Sequence, residues 1–573
     1  MGVRDAATVE DGPWRPCAED LLVLGDGVAL DDAARAELHR VAGSDPMIAI
    51  VSPRFGTATS ARHLPAVTYS PLPDPRGFSI KAAVLRDFPP PAGPPDWDRY
   101  ALALNRCGFR CAVANRAAAS GMLPAGDVAR RAERLEAEFP GAGAAAGAFL
   151  TAAPRQAERL LACLEPDVAG RLAIAFDATH VGPGHSGTAE LARMLVRLAT
   201  DLWRDRFDVA VVASEATFAF HFGGMTHPPR RVAPADGACF AVFIRIGQPF
   251  GWKEMDHAVR RAPVLLFFML DTIGLDCIRL APDELDPLWR FTLAEADGLL
   301  FNSAFTRRQF ERRFGALRRD MPARASLHAI EAHEALSEPG DGDGTILVVG
   351  NAFAHKRVEA TARLLAARCP GARIVALGLD PGRVPGTTGL PSGSLDDEAL
   401  AGLYRAARVV VYPSVYEGFG FPVVDALRHR RPVILRRLPP FLEIAARLGD
   451  EANLHWFETD DDLVRLASSE IDWHPSPADA PDRAWTECVD DLRAVLDEAL
   501  AGVDYRRVVR RIEFMRGRVA WARARRFETP DGLGEDAARV AGFAGRLAQR
   551  VVLRLAASPP GRALLRLTAR MRR

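Results

Sequence analysis

Buried-strand patterns alternate with helical patterns twice along this 573-residue chain, and this alternation constrains the fold more than any other feature. The first series begins at Arg171 with RLAIAFDATH, a Gly-rich turn and an amphipathic helix pattern. The second series follows the Gly- and Asp-rich linker 337–344 and begins with TILVVGN. Strands that alternate with helices form parallel sheets with helices on both faces. We therefore expect an α/β protein with two Rossmann-like domains facing a cleft, and ligands at the carboxyl ends of their strands.

The length of the chain exceeds what one hydrophobic core can hold, so several domains are expected. Residues 122–170 are rich in Ala, Gly and Arg, which predicts a linker of one or two helices, and the last segment is helical in pattern and rich in Arg. The predicted order is an N-terminal α/β segment, the linker, the first and the second Rossmann-like domain and a helical tail. Their predicted boundaries are 1–121, 122–170, 171–336, 337–480 and 481–573.

Composition excludes several classes of protein. A hydrophobic content of 48% and a charged content of 25% are ordinary for a globular protein, and the zero net charge argues against nucleic acid as the partner. We find no apolar run long enough to cross a bilayer and no signal peptide, so a cytoplasmic protein is predicted. The eight cysteines form no CxxC pair, which favours buried reduced thiols over a zinc site or a disulfide framework.

The stretch 409–427, VVVYPSVYEGFGFPVVDAL, is the most informative part of the chain. After a β-branched strand pattern, a turn carries Glu417, and Gly418 and Gly420 open a helix pattern. Glycine lets a ligand approach the backbone, and the first N–H groups of a helix bind anions such as phosphate. Asp425 lies about two helical turns beyond Glu417, so both carboxylates can face one ligand. Ordinary acidic capping of a helix is the alternative.

This stretch resembles the acidic motif of family-4 retaining glycosyltransferases, in which Glu-Gly-Phe-Gly-hydrophobic-Pro leads to a second carboxylate. The resemblance implies the GT-B fold, with Glu417 as a catalytic residue that contacts the hydroxyls of the donor sugar. It also implies that the backbone of Gly418, Phe419 and Gly420 lies near the sugar and the phosphate. The resemblance further implies that Asp425 binds the ribose of the donor, at a position where the family usually has Glu.

Lys356 is one of only three lysines in the chain, with Lys81 and Lys253. It lies near a predicted helix start, where a cation opposes the helix dipole unless an anion lies between them, and this conflict indicates phosphate binding. In family-4 enzymes a lysine six residues after the strand's glycine binds the donor pyrophosphate, and Lys356 has that spacing from Gly350. Many members carry Arg soon after this glycine, where Asn351 stands here. A surface lysine is the alternative.

The first strand–helix series supplies candidates for the other side of the cleft, and its strand ends resemble the N-terminal domain of the same enzymes. Asp271 is a catalytic candidate at a strand end that often reads His-Asp, with Leu270 in place of the His. The candidates for contact with the donor phosphates or the acceptor are Gly184, Ser186, Gly187, Thr188, Asn302 and Ser303. A plain strand-to-helix turn is the alternative for the Gly-rich loop, and helix capping is the alternative for Ser303.

These motifs predict a retaining glycosyltransferase that moves a sugar from a nucleoside-diphosphate sugar to a glycan or lipid-linked acceptor, in surface polysaccharide synthesis. The resemblance implies a hexosyltransferase, of mannosyltransferase-like type, with no metal and no cofactor, the nucleotide-sugar being a co-substrate. The leaving diphosphate would be stabilised by Lys356, helix N-termini and backbone N–H groups. Two alternatives stay open: a catalytically inactive GT-B scaffold or nucleotide-sugar-binding protein, and another GT-B enzyme such as a sugar-nucleotide epimerase.

Both ends of the chain carry weaker signals. The N-terminal segment resembles, more distantly, the later half of a family-2 glycosyltransferase domain, with Asp26 alone in place of the metal-binding Asp-x-Asp. It is therefore predicted to be an inactive remnant, and an unrelated α/β domain is the alternative. The basic tail fits either an amphipathic helix on an anionic membrane surface or a solvated helix packed on the core. Its arginines at four-residue spacing are Arg546, Arg550, Arg554, Arg562, Arg566 and Arg570.

Overall fold

The computed structural model describes most of the chain up to Phe527. The described residues are 4–5, 19–55, 61–90, 96–120, 128–277, 284–329, 343–449, 451–474 and 484–527. The tail arginines from Arg546 to Arg570 and most of the predicted linker 337–344 lie outside them. All three sheets belong to one compact unit, residues 1–513, and the chain beyond it forms a separate unit.

Nineteen strands are present in the described part of the chain, and they form three sheets. In chain order they are β1 (Arg4–Asp5), β2 (Leu21–Leu24), β3 (Ile48–Phe55), β4 (Val67–Ser70), β5 (Gly77–Ile80), β6 (Arg110–Ala119), β7 (Leu172–Asp177), β8 (Phe207–Val212), β9 (Arg230–Val232), β10 (Val242–Arg245), β11 (Val264–Met269), β12 (Gly298–Phe301), β13 (Ala323–Ala325), β14 (Thr345–Val349), β15 (Ile374–Leu377), β16 (Thr387–Leu390), β17 (Ala407–Tyr412), β18 (Val433–Arg436) and β19 (Leu454–Phe457).

The α-helices connect these strands and cover the sheets. They are Asp32–Ser44, Ala82–Asp87, Trp97–Arg106, Val128–Arg134, Ala142–Thr151, Ala153–Leu161, Gly187–Leu202, Glu215–Phe222, Trp252–Val259, Ile273–Asp276, Leu285–Glu295, Ala304–Phe314, Val358–Arg368, Asp397–Ala406, Phe421–Arg428, Pro439–Leu448, Asp460–Ser468, Trp485–Ala501 and Tyr505–Phe527. Two short 3₁₀ helices, Ala162–Leu164 and Ala354–Lys356, complete the set.

The N-terminal sheet is mixed, in the order β1-β2-β5-β3-β6-β4. Its core extends into the segment predicted as a linker, because Ala132, Leu135 and Phe139 pack with Phe78 and Ile80 of β5. That segment holds three α-helices rather than one or two. The reason is burial, since its small apolar side chains complete the core of the sheet beside them.

The other two sheets are parallel throughout and form what we call the first and second lobes. The first lobe, β7 to β13, has the order β13-β12-β11-β10-β7-β8-β9, and the second lobe, β14 to β19, has the order β16-β15-β14-β17-β18-β19. Their central strands are buried runs rich in Val, Ile, Leu and Phe, as expected for sheets covered on both faces. The predicted α/β class with two Rossmann-like domains is confirmed.

The helix Trp485–Ala501, which the sequence places in the tail, returns to the first lobe. Its buried residues Val489, Leu492 and Leu496 belong to the same core as Ile174 of β7 and Leu195. The next helix is tied to the same lobe by Arg511, whose guanidinium is 1% exposed and binds Asp297 at 2.5 Å. A buried ion pair of this kind fixes the start of that helix on the first lobe.

Candidate functional site

A cleft between the two lobes meets the point where the strand order of the second lobe reverses. From β14 the chain passes to β15 and β16 on one side, and later returns to β17 on the other side. In open parallel sheets, ligands bind outside the carboxyl ends of the strands at such a switch point. The cavity here has a volume of about 1280 Å³. It lies between the lobes, because residues of both lobes form its walls.

Lys356 and Glu417 meet at this switch point, the first after β14 and the second after β17. The ammonium Nζ of Lys356 lies 2.5 Å from Oε1 of Glu417. Tyr412 joins them, since its hydroxyl donates to the same Oε1 at 2.6 Å and accepts from Lys356 at 3.3 Å. The side chains of Lys356 and Glu417 are 14% and 7% exposed. A cation and a carboxylate are thus held together at the wall of the cavity, which both of them line.

Gly418 and Gly420, on either side of Phe419, stand where the structure leaves no room for a side chain. A Cβ on Gly418 would lie 2.0 Å from the carbonyl oxygen of Leu270 in the first lobe, so only glycine allows this approach. Gly420 has φ +113°, and a Cβ there would meet the ring of Phe441 at 2.5 Å. Gly420 is also the N-cap of the helix Phe421–Arg428, and the residues at that helix start that carry a backbone N–H, Gly420 and Phe421, line the cavity.

Asp271 lies opposite Glu417, on the first lobe just after β11. Its Oδ1 accepts from the backbone N–H of Ile273 at 3.0 Å, and Gln248 donates to its carbonyl oxygen at 3.1 Å. Burial raises the pKa of Asp271 to about 6, and the negative charge of Glu417 adds to the rise. The cavity therefore holds a carboxyl group whose charge changes near neutral pH.

Asp425 lines the same cavity from the second turn of the helix Phe421–Arg428. Among the described residues its carboxylate makes no hydrogen bond and no ion pair. Burial raises its pKa to about 7, and the neighbouring carboxylate of Glu190 contributes. A half-buried carboxylate without partners is costly unless a ligand donates hydrogen bonds to it.

The Gly-rich loop of the first lobe reaches the cavity with three of its four predicted residues. Ser186, Gly187 and Thr188 line the cavity, whereas Gly184 does not. The hydroxyl of Ser186 caps the helix Gly187–Leu202 by accepting from Ala189 N at 3.1 Å. A Cβ on Gly187 would lie 2.9 Å from the ring of Phe421, so this helix start is close to the second lobe.

Asn302 and Ser303 differ in what they contact. Asn302 lines the cavity, and its buried Oδ1 has no hydrogen-bond partner in the described structure. Ser303 is fully buried, caps its own helix and donates to the carbonyl oxygen of Gly418 at 2.8 Å. Its geometry is therefore that of the capping alternative, with an added contact between the lobes.

The remaining predicted residues of the second lobe lie along the same wall. Gly350 and Asn351 line the cavity after β14, and Asn351 accepts from Phe353 N at 3.0 Å. Phe419 is 3% exposed, and its ring packs edge-on against that of His328, which follows β13, at 4.9 Å. The roles of all these residues stay predictions, since no ligand is present.

Several polar side chains that position these residues were not predicted from the sequence. The hydroxyl of Tyr416 contacts Thr272 and Asp276 of the first lobe, at 2.7 Å in each case. Glu443 of the second lobe accepts from the backbone N–H groups of Ala304 and Phe305 at 2.8 and 2.7 Å. It therefore caps a first-lobe helix from across the cleft. Each contact joins residues far apart in the chain, so no local pattern announces it.

Two searches of the described residues had no result. No group of three or more His, Cys, Asp or Glu side chains within them is placed to hold a metal ion. None of their helices combines the length and the apolar character that a membrane span requires.

A family comparison matches the lobe that carries Lys356 and Glu417. Residues 331–463 match the family model described as "Glycosyl transferases group 1". This stretch includes Gly350, Lys356, Glu417 and Asp425, so the prediction of a glycosyltransferase domain is confirmed for this part of the chain.

Curated relatives match over short segments. The chain is 44% identical over 52 residues to "Serotype-specific mannosyltransferase WbdA" of Escherichia coli, which covers 9% of this chain and 6% of the relative. It is 42% identical over 57 residues to "O-antigen chain mannosyltransferase B" of Escherichia coli, covering 10% and 15% of the two chains. The chain thus spans less than a sixth of the length of these relatives.

Solved structures match over more of the chain at low identity. Sucrose-phosphate synthase from Thermosynechococcus elongatus is 14% identical with a TM-score of 0.37, over 63% of this chain and 100% of that one. Anabaena Alr3699/HepE in complex with UDP-glucose is 13% identical with a TM-score of 0.40, over 61% of this chain and 100% of that one.

Proposed function

We propose that the chain is a retaining glycosyltransferase of family 4 that transfers a sugar, of mannosyl type, from a nucleoside-diphosphate sugar. The acceptor is a glycan or a lipid-linked saccharide of a surface polysaccharide. The observation that carries the proposal is the meeting of Lys356 and Glu417 at the strand-order switch point, across a cavity from Asp271. The mannosyl part rests on the printed names of the short relatives.

The proposed mechanism assigns the charge of the leaving group to the second lobe. As the bond between the sugar and the diphosphate breaks, negative charge develops on the phosphate oxygens. Lys356 and the backbone N–H groups of Gly420 and Phe421, at the start of the helix Phe421–Arg428, stabilise this charge. A phosphate that approaches Lys356 competes with Glu417 for the ammonium group and frees the carboxylate to accept from sugar hydroxyls.

The two carboxyl groups whose pKa values are raised have different proposed partners. Asp425, which lacks hydrogen bonds in the described structure, accepts from the ribose hydroxyls of the donor. Asp271 lies on the first lobe opposite Glu417 and faces the reacting sugar and the acceptor hydroxyl. Ser186, Gly187, Thr188 and Asn302 contact the phosphates or the acceptor from the same side. No metal and no cofactor is part of this proposal.

A thermal-shift screen across GDP- and UDP-sugars, followed by a transfer assay, tests the proposal. We expect one donor to raise the melting temperature of the full chain and to yield a glycosylated product with retained anomeric configuration. The variant Glu417→Gln keeps the shape of the site and is expected to lose transfer. Full transfer by this variant would remove the assignment of the catalytic residue.

The same experiment separates the alternatives. A donor that binds and is never transferred would identify a nucleotide-sugar-binding scaffold. Conversion of the donor with no acceptor present would identify an epimerase. Inversion of the anomeric centre would contradict the family-4 assignment while leaving a transferase.

We further propose that the N-terminal sheet is an inactive relative of a family-2 domain, and that the basic tail contacts the inner face of the membrane. Both proposals rest on sequence, Asp26 for the first and the arginine spacing for the second. Co-sedimentation with anionic and neutral vesicles tests the tail. Loss of binding on replacement of Arg546, Arg550 and Arg554 is expected, and equal binding to both vesicles would contradict the proposal.

A further inference from the structure

One histidine at the wall of the cavity has a ring nitrogen without a hydrogen-bond partner. His355 immediately precedes Lys356 in the 3₁₀ helix Ala354–Lys356. It lines the cavity and is only 8% exposed. Its buried Nε2 makes no hydrogen bond to any residue that the structure describes. A buried polar atom in this state is costly unless a group that enters the site completes its hydrogen bonding.

The position of this imidazole is fixed from two sides. Its ring stacks on that of Phe353, with the ring centroids 5.8 Å apart and the planes at 15°. The carbonyl oxygen of His355 accepts from the backbone N–H of Val415 at 2.9 Å and from the hydroxyl of Ser414 at 3.4 Å. Both of these residues lie between β17 and Glu417. The turn that carries the imidazole is therefore tied to the segment that carries the carboxylate.

Two other histidines show that the location of His355 sets it apart. His257 and His455 also have a buried Nε2 without a hydrogen-bond partner among the described residues. Neither of them lines the cavity, whereas His355 does. His455, in β19, is the better match, because it belongs to the same lobe and its pKa is also lowered by burial.

The imidazole of His355 is neutral near pH 7 in the ligand-free protein. Burial and the positive charge of Lys356 lower its pKa, and the negative charge of Glu417 opposes them. A neutral imidazole has one N–H donor and one nitrogen with a free lone pair, whereas both nitrogens of the imidazolium donate. An anion beside Lys356 adds negative charge near this ring and so favours the imidazolium.

We propose that His355 is a further contact for the leaving diphosphate, and that it takes up a proton when the diphosphate binds. This inference rests on the proposed function, since it needs a nucleoside diphosphate beside Lys356. One proton passes from the solvent to the free nitrogen of the ring, and an N–H of the imidazolium donates to a phosphate oxygen. The proton returns to the solvent when the product leaves, so none is consumed in a turnover.

Calorimetric titration of the full chain with GDP and with UDP tests the inference. Titrations in two buffers of different ionisation enthalpy give the number of protons taken up with each nucleotide. Asp271 and Asp425 can also take up protons, because their pKa values are raised to about 6 and about 7. The deciding quantity is therefore the difference between the wild type and His355→Gln.

The expected difference follows from the loss of one charged hydrogen-bond donor. At about pH 7, His355→Gln should take up about half a proton less per nucleotide than the wild type. It should also bind the nucleotide about 10- to 100-fold more weakly. His455→Gln is the matched control, since it removes a comparable buried ring nitrogen outside the cavity, and it should bind as the wild type does.

A second variant and two outcomes keep the test decisive. His355→Asn keeps the carbonyl contacts of the turn, and it replaces His355→Gln if the melting temperature shows that the glutamine variant is unfolded. Equal proton uptake by the wild type and the His355 variant overturns the inference and leaves the proposed function standing. If the wild type binds neither nucleotide, the nucleotide site itself is overturned, and the inference with it.

Discussion

The two lobes of this protein place an ion pair at the same topological position, and the two pairs differ in what surrounds them. In the first lobe the strand order reverses between β7 and β10, and Arg245 binds Asp177 there at 2.6 Å, with side chains 1% and 0% exposed. In the second lobe the order reverses between β14 and β17, and Lys356 binds Glu417 there at the wall of the cavity. The first pair is closed off, and the second faces space that a ligand can fill.

The difference shows that a strand-order switch point can hold a charged pair without being a binding site. Asp177 also accepts from the hydroxyl and the backbone N–H of Thr179, and Arg245 reaches Glu254 at 2.9 Å, so the first pair is part of a protein network. A buried network of this kind holds the first lobe together. In the described structure the second pair shares hydrogen bonds with Tyr412 and lines a cavity that has room for a ligand.

The largest effect is expected when the first pair is broken. The variant Arg245→Met leaves Asp177 buried without its cation, and such a change costs about 3–5 kcal/mol of the free energy of unfolding. Although burial opposes it, Arg245 holds the pKa of Asp177 below its ordinary value, so this stabilisation is present near neutral pH and is lost in acid. Urea unfolding measures the cost, and the double variant with Asp177→Asn should recover part of it. Equal stability of Arg245→Met and the wild type would show that the Arg245–Asp177 pair does not stabilise the fold.

Breaking the second pair is expected to affect catalysis and to spare the fold. Under the proposed function, Lys356→Ala removes the cation that stabilises the leaving diphosphate, and kcat should fall by about 10²- to 10³-fold. The melting temperature should change by only a few degrees, because the carboxylate of Glu417 keeps the hydrogen bond from Tyr412 and lines the cavity. The exposed Lys253 provides the matched control, since Lys253→Ala removes a lysine outside the cleft. A loss of stability as large as that of Arg245→Met would mean that the second pair is structural too.

A third variant sharpens the comparison through pH. Because the pKa of Asp425 is raised by burial, the folded chain binds this proton more tightly than the unfolded chain, so the stability from this group falls as pH rises from about 4 to about 7. Asp425→Asn should therefore stabilise the ligand-free protein at pH 8 by about 1–2 kcal/mol, after allowance for partial exposure. Donor affinity should fall by about tenfold in the same variant, since an amide accepts more weakly than a carboxylate. Melting curves at pH 5 and pH 8 check the gain in stability, and donor titrations at the same pH values check the loss of affinity. The prediction would be contradicted if Asp425→Asn were no more stable than the wild type at pH 8.

The smallest effect is expected at the hydroxyl that joins the second pair. Tyr412→Phe removes the bonds to Glu417 and Lys356 and should lower kcat/KM by about five- to tenfold. The control is Tyr100→Phe in the N-terminal sheet, which also loses a buried hydrogen bond, to Phe88 at 2.6 Å. Steady-state kinetics and melting temperatures are compared for both variants. An equal loss of activity in the two would show that the effect comes from stability alone.

The second lobe was easier to predict from sequence than the contacts around it. Strand patterns placed β14 and β17 correctly, and the glycines after them placed Lys356 and Glu417 at the carboxyl ends of adjacent strands. These are local signals, because a strand, a turn and a helix start follow each other within a few residues. That the two side chains touch could not be predicted, since two residues at one sheet edge can equally bind opposite ends of a ligand.

Contacts between distant segments had no sequence signal at all. The hydrogen bonds of Tyr416 with Thr272 and of Glu443 with Phe305 join segments more than a hundred residues apart. The helix Trp485–Ala501 is a second example. Its amphipathic pattern predicts a helix, but the pattern does not indicate which part of the protein the apolar face packs against. The assignment of residues 122–170 to a linker left out their share of the N-terminal core for the same reason.

The contacts of Ser303, Tyr416 and Glu443 determine how the cleft can open. All three fasten the lobes along the edge where Glu417 faces Asp271, whereas at the far edge Nδ1 of His185 lies 3.2 Å from Oδ1 of the exposed Asp397. If one lobe rotates relative to the other to admit a ligand, the axis of rotation lies along this fastened edge. Residues far from the axis then move more than residues near it. Under the proposed function, Glu417 and Asp271 would keep their alignment while the far edge moves to exchange substrate and product.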